Sequence, residues 1–165
     1  MGRFISADNG LKWLWLSFLV IVLDLGTKAW ALVALNYADP VYILPVLNFT
    51  LLYNPGAAFS FLADQGGWQR WFFTSISIAV SLILLGWLAR LPAQKKVLAA
   101  GLSLVLGGAI GNLCDRLWHG HVVDFISVHW GNAYFPAFNI ADSAITLGAI
   151  LLIIDALFEK RFENT

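Results

Sequence analysis

Four long apolar stretches divide the sequence, at residues 13–35, 71–91, 97–114 and 137–158. Each of them approaches or exceeds the roughly 20 residues that an α-helix needs to cross a bilayer. The first stretch is longer than the apolar region of a secretory signal and ends without a small-residue cleavage pattern, so we interpret it as a retained helix. We therefore predict an α-helical polytopic membrane protein with four transmembrane helices, built as a single membrane-embedded domain over residues 1–165.

The connection between the first two helices has the pattern of β-strands. In residues 47–53, apolar or aromatic side chains occupy every second position, which is the period of a half-buried strand. The Pro55-Gly56 pair that follows suits a type II turn in which glycine adopts a positive φ, and residues 57–62 then return as a second short strand. We expect a small β-sheet over about residues 41–62, lying on the membrane surface.

The connection between the third and fourth helices, residues 117–136, is rich in tryptophan, histidine and tyrosine. This composition is typical of the membrane interface, and we expect a short interfacial helix there. Within the third span, Gly107, Gly108 and Gly111 include two small residues spaced four apart, which lets helices approach closely. We predict that this glycine face packs against a neighbouring helix.

The charge balance excludes some classes of partner and sets an orientation. Ten Lys and Arg residues offset ten Asp and Glu residues, so net charge gives no case for nucleic acid binding. One cysteine, Cys114, excludes an intramolecular disulfide. Basic residues mark the cytoplasmic side of a membrane protein, so we expect both termini and the middle connection to lie in the cytoplasm. These residues are Arg3, Lys12, Arg90, Lys95, Lys96, Lys160 and Arg161.

Two aspartates, Asp124 and Asp142, lie in strongly apolar stretches of the chain with no cation within a helical turn in sequence. An ionisable residue at mid-bilayer costs about 2.5–3.5 kcal/mol on insertion scales, so such residues are functional candidates. Two adjacent carboxylates cannot both ionise readily, and we expect the pair to face each other and share one proton. Such a pair activates water and protonates a carbonyl in soluble aspartic proteases, so the pair indicates hydrolysis of an amide.

Other polar residues fall at the same predicted depth. Asp24 lies twelve residues beyond Lys12, about 18 Å along a helix, which places it in the outer half of the first span. We expect five chain segments to bring polar groups to one layer near the outer boundary. A purely structural interpretation of Asp24 remains open, because Asp24 and Lys28 form an i,i+4 pair that neutralises itself. Asp115 and Arg116 offer a similar neighbouring pair.

A metal-dependent alternative rests on the second outer connection. His119 and His121 lie close to Asp124 in sequence, and this combination could bind a metal ion. Two histidines separated by one residue share a face only in a strand, however, and the sequence contains no His-Glu-x-x-His motif. A Gly-x-Ser-Gly motif suited to an intramembrane serine protease is also absent from the sequence.

Five ordered motifs resemble those of lipoprotein signal peptidase, also called signal peptidase II, of bacterial inner membranes. The resemblance spans nearly the whole chain, and the sequence is most similar to gammaproteobacterial members. Pro55 and Leu25 stand where many members have other residues. The motifs are DLGTK at 24–28, YNPGAAFS at 53–60, GGAIGNLCDR at 107–116, VVDF at 122–125 and FNIADS at 138–143.

The resemblance implies an intramembrane aspartyl endopeptidase that removes the signal peptide of prolipoproteins by cleaving before a diacylglyceryl-modified cysteine. It implies no cofactor or metal, a monomer in the inner membrane, an active site near the periplasmic face, and inhibition by globomycin-type compounds. By resemblance the catalytic pair is Asp124 and Asp142. The substrate-binding or supporting residues implied by the resemblance are Asp24, Lys28, Asn54, Gly56, Asn112, Arg116, Asn139 and Ala141.

Two other functions use the same features of the sequence. Intramembrane carboxylates also serve as proton relays in transporters and channels, and a glycine-rich helix also serves in assembly proteins. A transporter predicts proton-linked flux without peptide cleavage. A structural assembly protein predicts that both aspartates tolerate replacement.

Overall fold

The computed structural model describes residues 9–56 and 67–163, with side chains described as far as residue 158. In these ranges a short 3-10 helix, Gly10–Trp13, leads into the first of four α-helices. The helices are α1 (Leu14–Ala34), α2 (Trp68–Arg90), α3 (Lys96–Trp118) and α4 (Ile140–Glu163). The strands are β1 (Val41–Leu44), β2 (Leu47–Asn54), β3 (Val122–Trp130) and β4 (Ala133–Tyr134).

All four helices include segments long and apolar enough to cross a membrane, which confirms the predicted four-helix architecture. The helices alternate in direction, and the sheet occupies one end of the bundle. At the opposite end the amide of Gly10 donates to the carbonyl of Leu91 at 3.0 Å. The chain start that the structure describes and the α2–α3 connection therefore meet at one end, where the sequence places Lys12, Arg90, Lys95 and Lys96.

Helix α3 is the centre of the bundle and packs against the other three helices. A Cβ at Gly107 would lie 2.8 Å from Cβ of Val20 on α1, and a Cβ at Gly108 would overlap the carbonyl oxygen of Ala141 on α4. The predicted packing role of these glycines is thus confirmed, and they allow α3 to approach both α1 and α4. The contact between α3 and α2 is instead made by larger side chains, among them the fully buried Leu88 and Leu102.

The strands form one antiparallel sheet in the order β1-β2-β3-β4. The expected short interfacial helix between α3 and α4 is wrong, because residues 122–134 form β3 and the short β4. Segment 122–130, VVDFISVHW, is rich in β-branched and aromatic residues, which favour strands. Pairing with β2 also satisfies the backbone hydrogen bonds of this segment, with Leu47 opposite Val128 and Asn54 opposite Val122.

The sheet packs on the end of α1. Ala31 and Leu35 of α1 form a buried cluster with Leu51 of β2 and with Val123 and Phe125 of β3. This cluster fixes the position of β3 relative to the helices. The predicted turn after β2 is also borne out in its backbone, because Gly56 has φ +102°. The predicted second strand at 57–62 lies outside the described residues.

Candidate active site

Asp124 lies in β3 and is 3% exposed. Its Oδ1 accepts a hydrogen bond from Nδ2 of Asn139 at 2.7 Å, and its Oδ2 accepts one from Nδ2 of Asn54 at 3.1 Å. Asn54 pairs with Val122, two residues from Asp124, so the two side chains are diagonal neighbours on one face of the sheet. Two amide side chains from different parts of the chain therefore hold this carboxyl group.

Asp142 lies in the first turn of α4, where the helix dipole favours a negative charge. Asn139 precedes this helix, and its Oδ1 accepts from the amide of Asp142 at 2.9 Å. In return, Oδ2 of Asp142 accepts from the amide of Asn139 at 3.3 Å. These reciprocal bonds form a capping box. The other oxygen of Asp142 accepts from Nδ2 of Asn112 at 2.8 Å.

Asn139 therefore connects the two aspartates. Its side-chain oxygen caps the helix turn that carries Asp142, while its side-chain nitrogen binds Asp124. Asn139 is fully buried. In the described structure both aspartates receive their hydrogen bonds from amide groups, and Asn139 supplies one to each of them.

The pKa of Asp124 is raised from 3.8 to about 7, chiefly by burial and also by the charge of Asp142. Hydrogen bonds from Asn54 and Asn139 and the charge of Lys28 act in the opposite direction. Asp142 is thus close enough to affect the ionisation of Asp124. A pKa of about 7 leaves a substantial fraction of Asp124 protonated near neutral pH, and a general acid needs such a proton.

Lys28 lies in a buried layer beneath the aspartates and is 2% exposed. Its Nζ contacts Oδ2 of Asp24 at 2.7 Å, Oδ2 of Asp115 at 2.9 Å and Oδ1 of Asn112 at 3.0 Å. The predicted Asp24–Lys28 pair is present, but Asp115 pairs with Lys28 and not with its neighbour in sequence. Asp115 also accepts from the amide of Val123 at 2.9 Å, which ties α3 to β3.

Asp24 ties α1 to the start of α4. Its Oδ1 accepts from the amide of Ala141 at 2.9 Å, and both residues are fully buried. A Cβ at Gly111 would lie 2.5 Å from Oδ2 of Asp24, so glycine at this position makes room for the carboxylate. The amide of Ala141 is one of the helix N-terminal donors that need a partner, and the contact fixes the turn that carries Asp142.

Arg116 and Asn112 lie one helical turn apart on α3. Nη1 of Arg116 donates to the carbonyl of Asn112 at 3.2 Å. Its Nε is buried and has no hydrogen-bond partner among the described residues. The guanidinium interacts electrostatically with three carboxylates, those of Asp142, Asp115 and Asp124. Arg116 therefore brings positive charge and an unused donor to the site.

Asn54 orders its own turn as well as Asp124. Its Oδ1 accepts from the amide of Gly56 at 2.9 Å, which leaves Nδ2 directed at Asp124. A side chain that bonds the backbone two residues on is an Asx-turn. The positive φ of Gly56 suits glycine in this turn.

The two histidines proposed for a metal site pack with aromatic groups. The rings of His119 and His121 are 6.0 Å apart, and His121 lies 4.3 Å from the ring of Tyr53. Burial and the neighbouring His119 lower the pKa of His121, against the charge of Asp115. Residues 9–56 and 67–158 contain no group of three or more His, Cys, Asp or Glu side chains arranged to hold a metal ion.

A family model described as signal peptidase (SPase) II matches residues 16–158 of the chain. The chain belongs to the signal peptidase II family. It is accordingly an enzyme, an aspartic endopeptidase, and a multi-pass membrane protein.

Curated relatives extend this family assignment over the full chain. The lipoprotein signal peptidase of Acinetobacter baumannii is 59% identical over 160 residues, covering 97% of this chain and 91% of the relative. The lipoprotein signal peptidase of Pseudomonas putida is 55% identical over 165 residues, covering 99% of this chain and 94% of the relative. Membership and its gammaproteobacterial character are thus confirmed.

Two solved bacterial membrane enzyme structures, both obtained by the in meso method, share the fold of this family member. One matches with a TM-score of 0.80 at 32% identity, covering 90% of this chain and 89% of the other. The second matches with a TM-score of 0.79 at 33% identity, covering 88% and 92%. The arrangement of four helices and an antiparallel sheet is therefore shared with these solved enzymes.

All ten site residues that the resemblance implied lie in one connected layer of this signal peptidase. The role of Asp115 could not be predicted from the sequence. Of its two partners, Lys28 lies on another helix and Val123 lies beyond the turn that follows α3. A charged residue in an apolar helix was the available signal. The layer contains Asp24, Lys28, Asn54, Gly56, Asn112, Arg116, Asp124, Asn139, Ala141 and Asp142.

Proposed function

We propose that this signal peptidase cleaves prolipoproteins before a diacylglyceryl-modified cysteine, with Asp124 and Asp142 as a catalytic dyad and a water molecule as nucleophile. One observation carries the proposal: Asn139 binds Asp124 and caps the turn of Asp142, so a single buried amide organises both carboxyls. The names of the relatives in Acinetobacter and Pseudomonas support the lipoprotein substrate.

Asp124 is the proton donor in this mechanism. Its pKa is raised from 3.8 to about 7, chiefly by burial, so Asp124 keeps a proton to donate up to about neutral pH. Asp142 is the base, since it accepts hydrogen bonds at both oxygens and lies in the first turn of a helix. In this mechanism the pair holds one proton, which lies on Asp124 before the reaction.

The reaction is a balanced hydrolysis. Asp142 removes a proton from water while the water oxygen bonds to the carbonyl carbon of the scissile amide. Asp124 donates its proton to the carbonyl oxygen, which gives a neutral gem-diol. Return of a diol proton to Asp124 and delivery of the Asp142 proton to the nitrogen break the carbon–nitrogen bond. The products are a carboxylic acid and the free amine of the lipid-modified cysteine.

Arg116 is the candidate contact for the substrate backbone. Its unpartnered buried Nε offers a donor to a peptide carbonyl near the scissile bond. Both polar atoms of the Asn112 side chain are already engaged, with Lys28 and with Asp142. We therefore assign Asn112 to holding Asp142 and Arg116 to binding substrate, and a bound peptide fixed in this way has its amide near the dyad.

The charge distribution along the bundle supports the proposed location. Four basic residues of the described chain lie at the end opposite the sheet, and the positive-inside rule favours that end as the cytoplasmic one. The dyad then lies near the periplasmic face of the bacterial inner membrane, at the level where a lipidated substrate in the outer leaflet meets water. We propose a monomer, a single membrane-embedded peptidase domain over residues 1–165, and inhibition by globomycin-type compounds that occupy the dyad.

A gel assay tests the function. The purified protein in lipid is given a diacylglyceryl-modified precursor or its unmodified form, with and without globomycin. We expect cleavage of the lipidated form alone, blocked by globomycin and absent in Asp124→Asn and Asp142→Asn proteins that remain folded. Cleavage by either variant would reject the dyad. Proton flux in proteoliposomes without cleavage would favour the transporter, and full tolerance of both substitutions would favour an assembly protein.

A further inference from the structure

Phe73 of α2 touches two parts of the candidate site that belong to different elements. A Cβ at Gly56 would overlap Cδ2 of Phe73 and lie 2.6 Å from its Cε2, so the ring lies against the Gly56 backbone. The guanidinium carbon of Arg116 lies 5.5 Å from the centroid of the same ring. One partly buried aromatic side chain therefore contacts the turn after β2 and a residue of α3.

Each of these contacts is made with a residue that in turn interacts with Asp124. Gly56 donates to Oδ1 of Asn54, whose Nδ2 binds Asp124 at 3.1 Å. Displacing the turn would displace this hydrogen bond. Arg116 interacts with the charges of Asp142 and Asp124, and an aromatic face attracts a guanidinium within about 6 Å of its centroid. Removing the ring would free the guanidinium to move away from the carboxylates.

Glycine at position 56 is required by this contact as well as by its backbone. A positive φ alone is tolerated by some residues with side chains, but the ring of Phe73 leaves no space for a Cβ. The same ring lies beside the Arg116 guanidinium. An apolar neighbour lowers the local dielectric constant, which strengthens the attraction between Arg116 and the carboxylates.

We propose that Phe73 is a positioning residue for the peptidase reaction, which holds the Asn54–Gly56 turn on one side and the Arg116 guanidinium on the other. This inference rests on the proposed function of the dyad. It adds a residue of α2 to the layer of Asp124 and Asp142. Phe73 acts through Asn54 and Arg116, and it does not itself take part in proton transfer.

The test compares Phe73→Leu with Phe72→Leu. Phe72 is the adjacent aromatic residue, 48% exposed, and its ring packs on those of Trp68 and Phe73. We expect Phe73→Leu to lower kcat roughly 10- to 100-fold, the range that misplacement of reacting groups produces, with a smaller change in KM. Phe73→Tyr, which keeps the ring, should retain most activity, and Phe72→Leu should match the wild type.

Double-variant cycles distinguish positioning from general packing. We expect Phe73→Leu to lower kcat by a much smaller factor in an Asn54→Ala or an Arg116→Lys enzyme than in the wild type. The first substitution has already removed one of the contacts through which Phe73 acts. Independent losses that multiply would overturn the proposal, as would a Phe73→Leu enzyme equal to Phe72→Leu. If leucine prevents folding, Phe73→Met replaces it. Failure of both to fold while Phe72→Leu folds would show a packing role and also reject positioning.

A shift in the pH profile gives a second measurement. The hydrogen bond from Asn54 lowers the pKa of Asp124, on which the charges of Asp142 and Lys28 also act. The Arg116 guanidinium interacts with the same carboxyl group, and its positive charge acts in the same direction as the Asn54 hydrogen bond. Loosening Asn54 should therefore move the alkaline limb of the kcat profile of Phe73→Leu to higher pH, and an unmoved limb would contradict the proposal. Cleavage by the wild type and its loss in Asp124→Asn are read in the same assay, so the proposed function is judged separately from Phe73.

Discussion

Asn139 and Asp124 are joined by a hydrogen bond of 2.7 Å between Nδ2 of the amide and Oδ1 of the carboxyl. The amide oxygen meanwhile caps the helix turn that carries Asp142. The two functions of this side chain are separable by substitution. Serine keeps a short acceptor for the cap, whereas alanine removes the cap and the donor together.

We expect Asn139→Ser and Asn139→Ala to lose most cleavage, because both remove the donor that holds Asp124. Asn139→Ala should in addition lower the free energy of unfolding by about 1 kcal/mol relative to Asn139→Ser, the usual value of an N-cap. Cleavage assays and thermal unfolding of the two purified variants measure these effects. Near-normal cleavage by the serine variant would show that the Asp124 contact is dispensable.

The pKa of Asp124 makes stability depend on pH. Its raised value, about 7 against 3.8, means that the folded state holds a proton that the unfolded state has already released. The stabilisation is complete below the unfolded pKa and is lost as pH rises through about 7. In Asp124→Asn this titration is absent, so its unfolding temperature should rise relative to that of the wild type as pH increases from about 4 to about 7, the interval between the two pKa values. A constant difference would contradict the assignment.

The same titration predicts the alkaline limb of activity. A mechanism that needs the proton on Asp124 loses activity as pH rises through about 7, the pKa that burial and Asp142 produce. Initial cleavage rates from acid to alkaline pH, measured on protein shown to remain folded, test this expectation. An unchanged rate across the range would reject general acid catalysis by Asp124.

Removing the buried cation should destabilise the fold strongly. Lys28→Met leaves the carboxylates of Asp24 and Asp115 buried without their partner, and breaking a buried pair in this way costs about 3–5 kcal/mol. The variant that also carries Asp24→Asn and Asp115→Asn should recover much of that stability, since the amide oxygens still accept from Ala141 and Val123. Denaturant or thermal unfolding of both proteins measures the difference, and equal stabilities would be inconsistent with an ion triad.

Gly108 and Gly26 both lie in motifs of the family, but only Gly108 lies where a side chain would collide with a neighbouring helix. Gly108→Ala would place a methyl group on the carbonyl oxygen of Ala141, a backbone atom, and should cost about 1–3 kcal/mol and reduce cleavage. Gly26→Ala, within the DLGTK motif, meets nothing within 4 Å and should stabilise α1 by about 0.4–1 kcal/mol. Thermal unfolding compares them. A larger loss from Gly26→Ala than from Gly108→Ala would contradict the close approach of α3 and α4.

The local sequence pattern was sufficient to predict the four helices and to identify the candidate site residues. Apolar length alone predicts four spans, because a backbone in lipid must satisfy its hydrogen bonds within its own segment. Placing a carboxylate among apolar residues costs free energy in any fold, so the sequence is sufficient to indicate Asp124 and Asp142 as functional candidates. The motifs then added the family, and with it the class of enzyme.

Tertiary structure decided how residues 122–134 fold and how the polar groups pair. An interfacial segment has its hydrogen bonds satisfied either within a helix or across to another strand, and here the free edge of β2 provides the second solution. Hydrogen-bond partners are likewise chosen by packing. Lys28 lies next to Asp24 in the helix, but only the approach of α3 brings Asp115 to it, and only the cap of α4 brings Asn139 to Asp124. The sequence alone determined the spans and the unusual residues, while the contacts that join them depend on how distant segments pack.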